Sequence, residues 1–262
     1  MEGVAAIMHE SRDKTNSRTN LTRKVNTHVS VDCVIFGFKD SNLEVLVIER
    51  KVPVPLVGEG ALALPGNLIF EDEDLDQAAE RVLKELTNLD EIFLEQFKSF
   101  GNPNRLDKKE DQEWLKFIRT VPEARVITVA YYALIQVDKY QPSAAGFATQ
   151  TRWIPISDIP NLAFDHNEIC EEALKQLRSQ VYRRPLVFEL LPEMFSLAEL
   201  QSVYEVITQA SLDKRNFRRK ILGTGFIKET SQKQIGVAHK PAQLYRFDED
   251  LFEKSEGSFV SF

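Results

Sequence analysis

The stretch SLAELQSVYEVITQASLDKRNFRRKILGTGFIKET (Ser196 to Thr230) carries two helix signatures separated by a short turn. Ser196 followed three residues later by Glu199 has the form of a capping box, in which serine caps the amide of Glu199 and the glutamate reaches back. Leu197, Leu200, Val203, Tyr204 and Ile207 then repeat at helical spacing. After the turn Thr208 to Leu212, Asp213 is a good N-cap for a second helix, which Gly223 stops. GFIKET and the later KPAQLYRF (Lys240 to Phe247) read as two strands around the loop Ser231 to Lys240. Helix, tight turn, helix and hairpin describe a winged helix-turn-helix.

The second helix, DKRNFRRKIL (Asp213 to Leu222), places five cations around Phe217 and Ile221 in a chain whose net charge is −7. The two apolar residues are four apart, so they share the face that meets the first helix. Lys214, Arg215, Arg218, Arg219 and Lys220 occupy the flanks and the free face, with Asn216 near the N-terminal end where a recognition helix meets base edges. Arginine can bind guanine and asparagine adenine in bidentate fashion, while the other cations serve phosphates. Lys240 and Arg246 extend this footprint onto the wing. A solvated basic surface helix would carry the same charge run. The helix-turn-helix and wing around it favour double-stranded DNA as the partner.

The 262 residues suit two domains and a connector. Residues 1–27 are polar and aperiodic and are expected to form a flexible arm. A first domain at 28–165 mixes strand patterns with a helix from about Leu75 to Leu86, without a regular βαβ repeat, which indicates an α+β sandwich. Within it, the charged segment Lys108 to Arg119 reads as a short surface helix. Residues 166–184 are expected to form a connecting helix, 185–252 the winged helix, and 253–262 a tail. No apolar run approaches the roughly 20 residues of a membrane span, and no signal-peptide core opens the chain, so a cytoplasmic protein is expected. Cys33 and Cys170 read as buried reduced thiols, and His166 as a structural hydrogen-bonding residue.

Leu64-Pro65-Gly66 followed by Glu73, Arg81 and Glu85 resembles the Nudix box, Gly, five residues, Glu, seven residues, then Arg-Glu-apolar-x-Glu-Glu-x-Gly-apolar. Here Asn67 stands at the first glycine, Val82 at the glutamate after the arginine, Leu86 at the last glutamate and Asn88 at the last glycine. The resemblance implies that Glu73 and Arg81 are structural partners. It also implies that positions 82, 85 and 86 would hold magnesium. Magnesium wants an octahedron of oxygens, which Val82, Glu85 and Leu86 do not offer, so Glu85 is a weak metal candidate and no cofactor is expected.

A degenerate Nudix domain followed by a winged helix resembles the Nudix-related transcriptional regulators, a bacterial family that represses genes of NAD metabolism or sugar utilisation. The resemblance spans Val29 to Phe247 and includes FGNPNR (Phe100 to Arg105), ARVITVAYYAL (Ala124 to Leu134) and LAFDHNEI (Leu162 to Ile169). It implies a Nudix-type α/β/α sandwich as the effector domain, a homodimer on palindromic operator DNA, and an effector such as ADP-ribose or a pentose. Arg50, Arg105 and Arg125 are the pocket candidates, because arginine forks suit diphosphate oxygens. The chain departs from the family by an insertion at about Asp107 to Pro122, beside the pocket. The alternative is a magnesium-dependent Nudix hydrolase of nucleoside diphosphate derivatives working through Glu85.

Overall fold

The computed structural model describes residues 23–51, 62–236 and 241–254. Strands β1 (Val25–Lys39), β2 (Asn42–Arg50), β3 (Leu62–Ala63), β4 (Gly66–Phe70), β5 (Glu95–Phe100), β6 (Ile127–Gln136) and β7 (Ala148–Pro155) form one seven-stranded sheet. Its backbone runs β3-β2-β1-β6-β5, with β4 also paired to β1 and β7 to β2. β1 and β6 pair in parallel over ten residues, from Val29↔Ile127 to Phe38↔Gln136, and the other pairings are antiparallel.

Helices cover both faces, and the period-2 alternation of the strands divides their side chains between them. Val31, Cys33 and Ile35 of β1 join Leu46 and Ile48 of β2 beneath α1 (Leu75–Thr87). Val34 and Phe36 join Val45 and Val47 beneath α3 (His166–Gln180). The middle of β1 is buried on both sides and therefore reads as a near-continuous apolar run. α1 starts at the Asp74–Gln77 capping box and ends at Asn88 in the left-handed conformation. This is the α/β/α sandwich of an α+β protein.

The second core is continuous with the α3 face of the sheet. Phe195, Leu200, Val203, Tyr204, Phe217 and Ile221 belong to the same buried cluster as Val45, Val47, Ile169 and Leu177. A 3-10 turn at Leu186–Leu190 leads into β8 (Phe195–Ser196), α4 (Leu197–Thr208), α5 (Lys214–Gly223), β9 (Ile227–Lys233), β10 (Gln243–Phe247) and the short α6 (Glu249–Glu253). The small sheet β8-β10-β9 with α4 and α5 is a winged helix. Among the described residues no helix is long and apolar enough to cross a membrane.

One expectation is corrected by the structure. β1 begins at Val25, inside the stretch read as an arm, where Arg23 pairs with Asp72 and Glu73 and Lys24 with Glu71. The earlier part of that arm, residues 1–22, lies outside the described residues. The segment read as a short surface helix is α2 (Lys109–Ile118), exposed along Lys109, Glu110, Lys116 and Phe117, with Asp111, Trp114 and Leu115 turned into the core.

Gly66 opens β4 directly opposite Asp32 of β1. A Cβ there would lie 1.8 Å from Asp32 Oδ1 and 3.0 Å from the Val31 carbonyl, so only glycine fits against the carboxylate. Gly66→Ala is expected to lower stability by about 1–3 kcal/mol, as overpacking does. Urea denaturation followed by circular dichroism measures this, and an unchanged midpoint would contradict the close approach.

Candidate nucleic-acid interface and anion cleft

α5 is held by its two apolar residues and displays everything else. Phe217 and Ile221 are buried, and the Tyr204 and Phe217 rings meet edge to face at 5.8 Å. The turn before it is fastened by Glu205, whose Oε1 accepts from the Leu212 amide at 2.8 Å, and by Gln201, which donates to the Leu212 carbonyl. Asp213 caps the helix by accepting from the Asn216 amide at 2.8 Å.

Among the described residues every other α-helix carries an acid in its first turn, as the helix dipole favours. α5 has none and places Lys214 and Arg215 there instead. That arrangement is unfavourable for the isolated helix and favourable once a phosphate lies at its N-terminus. Lys214, Arg215, Arg218 and Arg219 are exposed, Asn216 and Lys220 half-buried. Arg219 donates to the Asn216 Oδ1 at 2.7 Å, so that oxygen is partly engaged within the helix. Arg246 is exposed on β10 opposite Lys228 of β9, which adds a cation pair at the base of the wing. Lys228 is a member of the surface that the sequence reading did not single out. Lys240 lies outside the described residues.

The second constellation lies at the edge of the sandwich. Asp32 on β1 is buried among Arg105, which follows β5, and His166, the first residue of α3. Arg105 forks onto Asp165, Nε to Oδ2 at 2.8 Å and Nη2 to Oδ1 at 2.6 Å, and its Nη2 lies 3.5 Å from Asp32. Asp165 sits at the N-cap of α3 yet makes no cap hydrogen bond, because Arg105 takes its carboxylate. The Leu64 amide donates to His166 Nδ1 at 2.9 Å, which puts the imidazole proton on Nε2, facing Asp32 Oδ1 at 3.4 Å. Burial opposes ionisation of Asp32, but His166 and Arg105 outweigh it and hold its carboxyl well below the usual range.

Helix α2 closes one side of this cleft with Trp114 and Ile118. Asp111 accepts from Arg50 Nη2 at 3.0 Å and from the Phe164 amide at 2.6 Å. Arg50 lies over the rings of Trp114 and Phe164 at 4.4 and 5.1 Å. Phe164 has φ +53°, a left-handed conformation that a bulky residue adopts only under constraint, and Asp111 and Arg50 supply that constraint. Of the three arginines expected in the pocket, Arg50 and Arg105 line the cleft together. Arg125 does not. It is exposed and donates to the Gly101 carbonyl at 3.1 Å, because the alternation into β6 turns Ala124 and Val126 inward and Arg125 outward. Arg119 lines the cleft too, although the sequence reading did not select it.

Glu73 and Arg81 meet as a pair: Arg81 donates through Nε at 2.9 Å and Nη2 at 2.6 Å, and Glu73 also accepts from the Phe70 amide. Glu85 is tied to Arg81 at 2.8 Å. Val82 and Leu86 are buried in the core between α1 and the sheet. Residues 82, 85 and 86 therefore supply one engaged carboxylate and two core side chains, a set that does not fit magnesium. Among the described residues no cluster of three or more His, Cys, Asp or Glu side chains is placed to hold a metal ion.

Residues 187–247 match the model of the NrtR DNA-binding winged helix domain. The ADPR responsive transcriptional repressor NtrR of Acinetobacter baylyi is 32% identical over 223 residues, covering 84% of this chain and 81% of that protein. The chain belongs to the family of Nudix-related transcriptional regulators. As a member it is a DNA-binding transcriptional regulator with a Nudix-like sensor domain. The crystal structure of Shewanella oneidensis NrtR complexed with a 27mer DNA is similar at 28% identity and a TM-score of 0.65, covering 88% of this chain and 97% of that one. A MutT/nudix family protein from Enterococcus faecalis, 22% identical with a TM-score of 0.62, covers 87% of this chain and 89% of its own and shares the fold.

The depressed carboxyl of Asp32 gives this regulator a sign for its acid response. A folded-state value below the unfolded one stabilises at pH above about 4 and is lost as pH falls through the acid range. Asp32→Asn should lower the melting temperature at pH 7 and flatten its further decline below pH 4. Differential scanning fluorimetry from pH 3 to 7 checks this; parallel wild-type and variant curves would contradict the assignment.

Proposed function

We propose that the protein is a dimeric repressor whose winged helix grips operator DNA through α5 and whose cleft binds a small anionic effector, with ADP-ribose the leading candidate. The observation that carries this reading is the placement of α3. Its start is held in the cleft by Arg105 on Asp165, and Arg178 near its end donates to the Ile207 carbonyl of α4 at 2.7 Å. A helix of 15 residues, about 22 Å long, thus joins the effector cleft to the helix-turn-helix. The A. baylyi relative, described as ADPR responsive, supports the choice of effector.

An effector releases DNA only if it binds one arrangement of the two winged helices better than the other. A coupling of about 1–3 kcal/mol changes DNA affinity about 5- to 150-fold. The cleft arginines provide the differential contact: an oxyanion that draws Arg50 or Arg105 away from Asp111 or Asp165 alters what holds Phe164 and the start of α3. The same region acts as a receptor, not as a hydrolase centre, since Val82 and Leu86 lie in the core and Glu85 is bonded to Arg81.

The test uses the full chain and a labelled duplex from the promoters of its own and adjacent genes. Addition of ADP-ribose should weaken binding at least fivefold in fluorescence anisotropy, and magnesium should not cause turnover of the ligand. A response to pentoses and not to ADP-ribose would reassign the effector; no response to either would sink the sensor reading.

On the DNA side, Lys214, Arg215, Asn216, Arg218, Arg219, Lys220 and Arg246 are the proposed contacts, with Lys240 from the wing. Arg215→Ala and Arg218→Ala should each weaken specific binding by about 1–3 kcal/mol if the side chain reads a base. Unchanged operator affinity in both variants would remove α5 from the interface.

A further inference from the structure

Arg119 terminates α2, where its backbone amide bonds the Leu115 carbonyl, and its side chain turns into the cleft beside Arg105. Its Nη1 is buried and has no hydrogen-bond partner among the described residues. The neighbouring carboxylates are committed elsewhere: Asp111 to Arg50 and the Phe164 amide, Asp165 to Arg105, and Asp32 to Arg105 and His166. Burial pushes the Arg119 guanidinium down to about 10, with Asp32 opposing and Arg105 adding to the fall. It remains charged at neutral pH. A buried charged donor left without an acceptor is costly, and native proteins seldom keep one without a purpose.

We propose that Arg119 is an oxyanion receptor, so that the inserted segment completes the effector cleft and directs it toward phosphate esters and diphosphates. Nη1 supplies an uncommitted donor, the neighbouring Arg105 a second guanidinium, and Asn67 a neutral polar group on the lining. Guanidinium forks match the spacing of phosphate oxygens, whereas a free pentose offers no anion to exchange for the desolvated charge. This inference rests on the sensor reading given above and narrows its ligand class.

The experiment compares wild type with Arg119→Gln and Arg119→Lys, all full length, by isothermal titration and thermal shift with inorganic phosphate, inorganic pyrophosphate, ADP-ribose and arabinose. Wild type should bind pyrophosphate or ADP-ribose, and Arg119→Gln should bind it about 10- to 150-fold more weakly, the range of a charged hydrogen bond. Arg119→Lys, which keeps the charge but not the fork, should recover part of the loss. Without ligand, Arg119→Gln should melt no lower than wild type, because it removes an unpartnered charge; a purely structural arginine would melt lower. Binding of inorganic phosphate alone would support a simple anion seat, and tighter binding of ADP-ribose a seat within a larger site. Equal binding of a phosphate ligand by wild type and Arg119→Gln overturns the inference and leaves the sensor reading intact. Binding of arabinose alone does the same. No binding of any probe by wild type overturns both.

Discussion

The start of α3 depends on one ion pair, Arg105 to Asp165, and most of the arrangement between cleft and DNA-binding helix follows from it. Asp165 occupies the position from which a carboxylate would ordinarily cap the helix. Arg105 takes that carboxylate in a two-pronged contact while also approaching Asp32. Three elements distant in sequence, β1, the loop after β5 and α3, thereby share one buried charge cluster. Such clusters are expensive to desolvate and strongly destabilising when one partner is removed, so they fix geometry more than they add stability. The left-handed Phe164 just before Asp165 is held in turn by Asp111 and Arg50.

α3 does not end in a solvated linker. Ile169, Ala173 and Leu177 pack in the same apolar cluster as the sheet and as Leu200, Val203 and Phe217 of the winged helix. Packed interiors are not continuously deformable, and a change at one end of a rigid helix is carried as a shift between discrete packings. The stacked rings of Tyr182 and Tyr204, 5.9 Å apart, and the edge contact of Tyr204 with Phe217 continue the path from the end of α3 to the middle of α5. The start of α3 and the middle of α5 are therefore joined by packed side chains throughout.

The parts of the molecule legible in the sequence are those governed by local rules. The Ser196 capping box, the apolar stripe of α4, the Asp213 cap and the apolar pair Phe217 and Ile221 are each set by spacing within one helix, and all occur where expected. The cleft obeys no such rule. Asp32, Asp111 and the adjacent pair Asp165 and His166 are far apart along the chain, and only the tertiary fold gathers them. The charge of α2 marks its exposed face, while Asp111, Trp114, Leu115 and Ile118 keep the spacing of the face turned inward. Arg119 follows on that face. Arg125 is turned away from the cleft by the parity of an incoming strand, a one-residue distinction that composition cannot make.

The Nudix-box segment shows why a motif can persist in part. Glu73 accepts hydrogen bonds from Phe70 and Arg81, and Arg81 also donates to the Leu68 carbonyl, so the pair fastens the end of β4 to the middle of α1 with or without a metal. Positions 82 and 86 lie on a different face of the same helix. Valine and leucine there are buried in the same apolar cluster as Cys33, Leu46 and Tyr131 of the sheet, and burial of each such side chain contributes about 1.5–3 kcal/mol. Carboxylates at those two positions would have to be desolvated in the same core without a matching cation, since Arg81 already serves Glu73 and Glu85. The helix is thus built as a structural wall, and the buried guanidinium groups of the domain, Arg50, Arg105 and Arg119, line a separate cleft beside α2 and the start of α3.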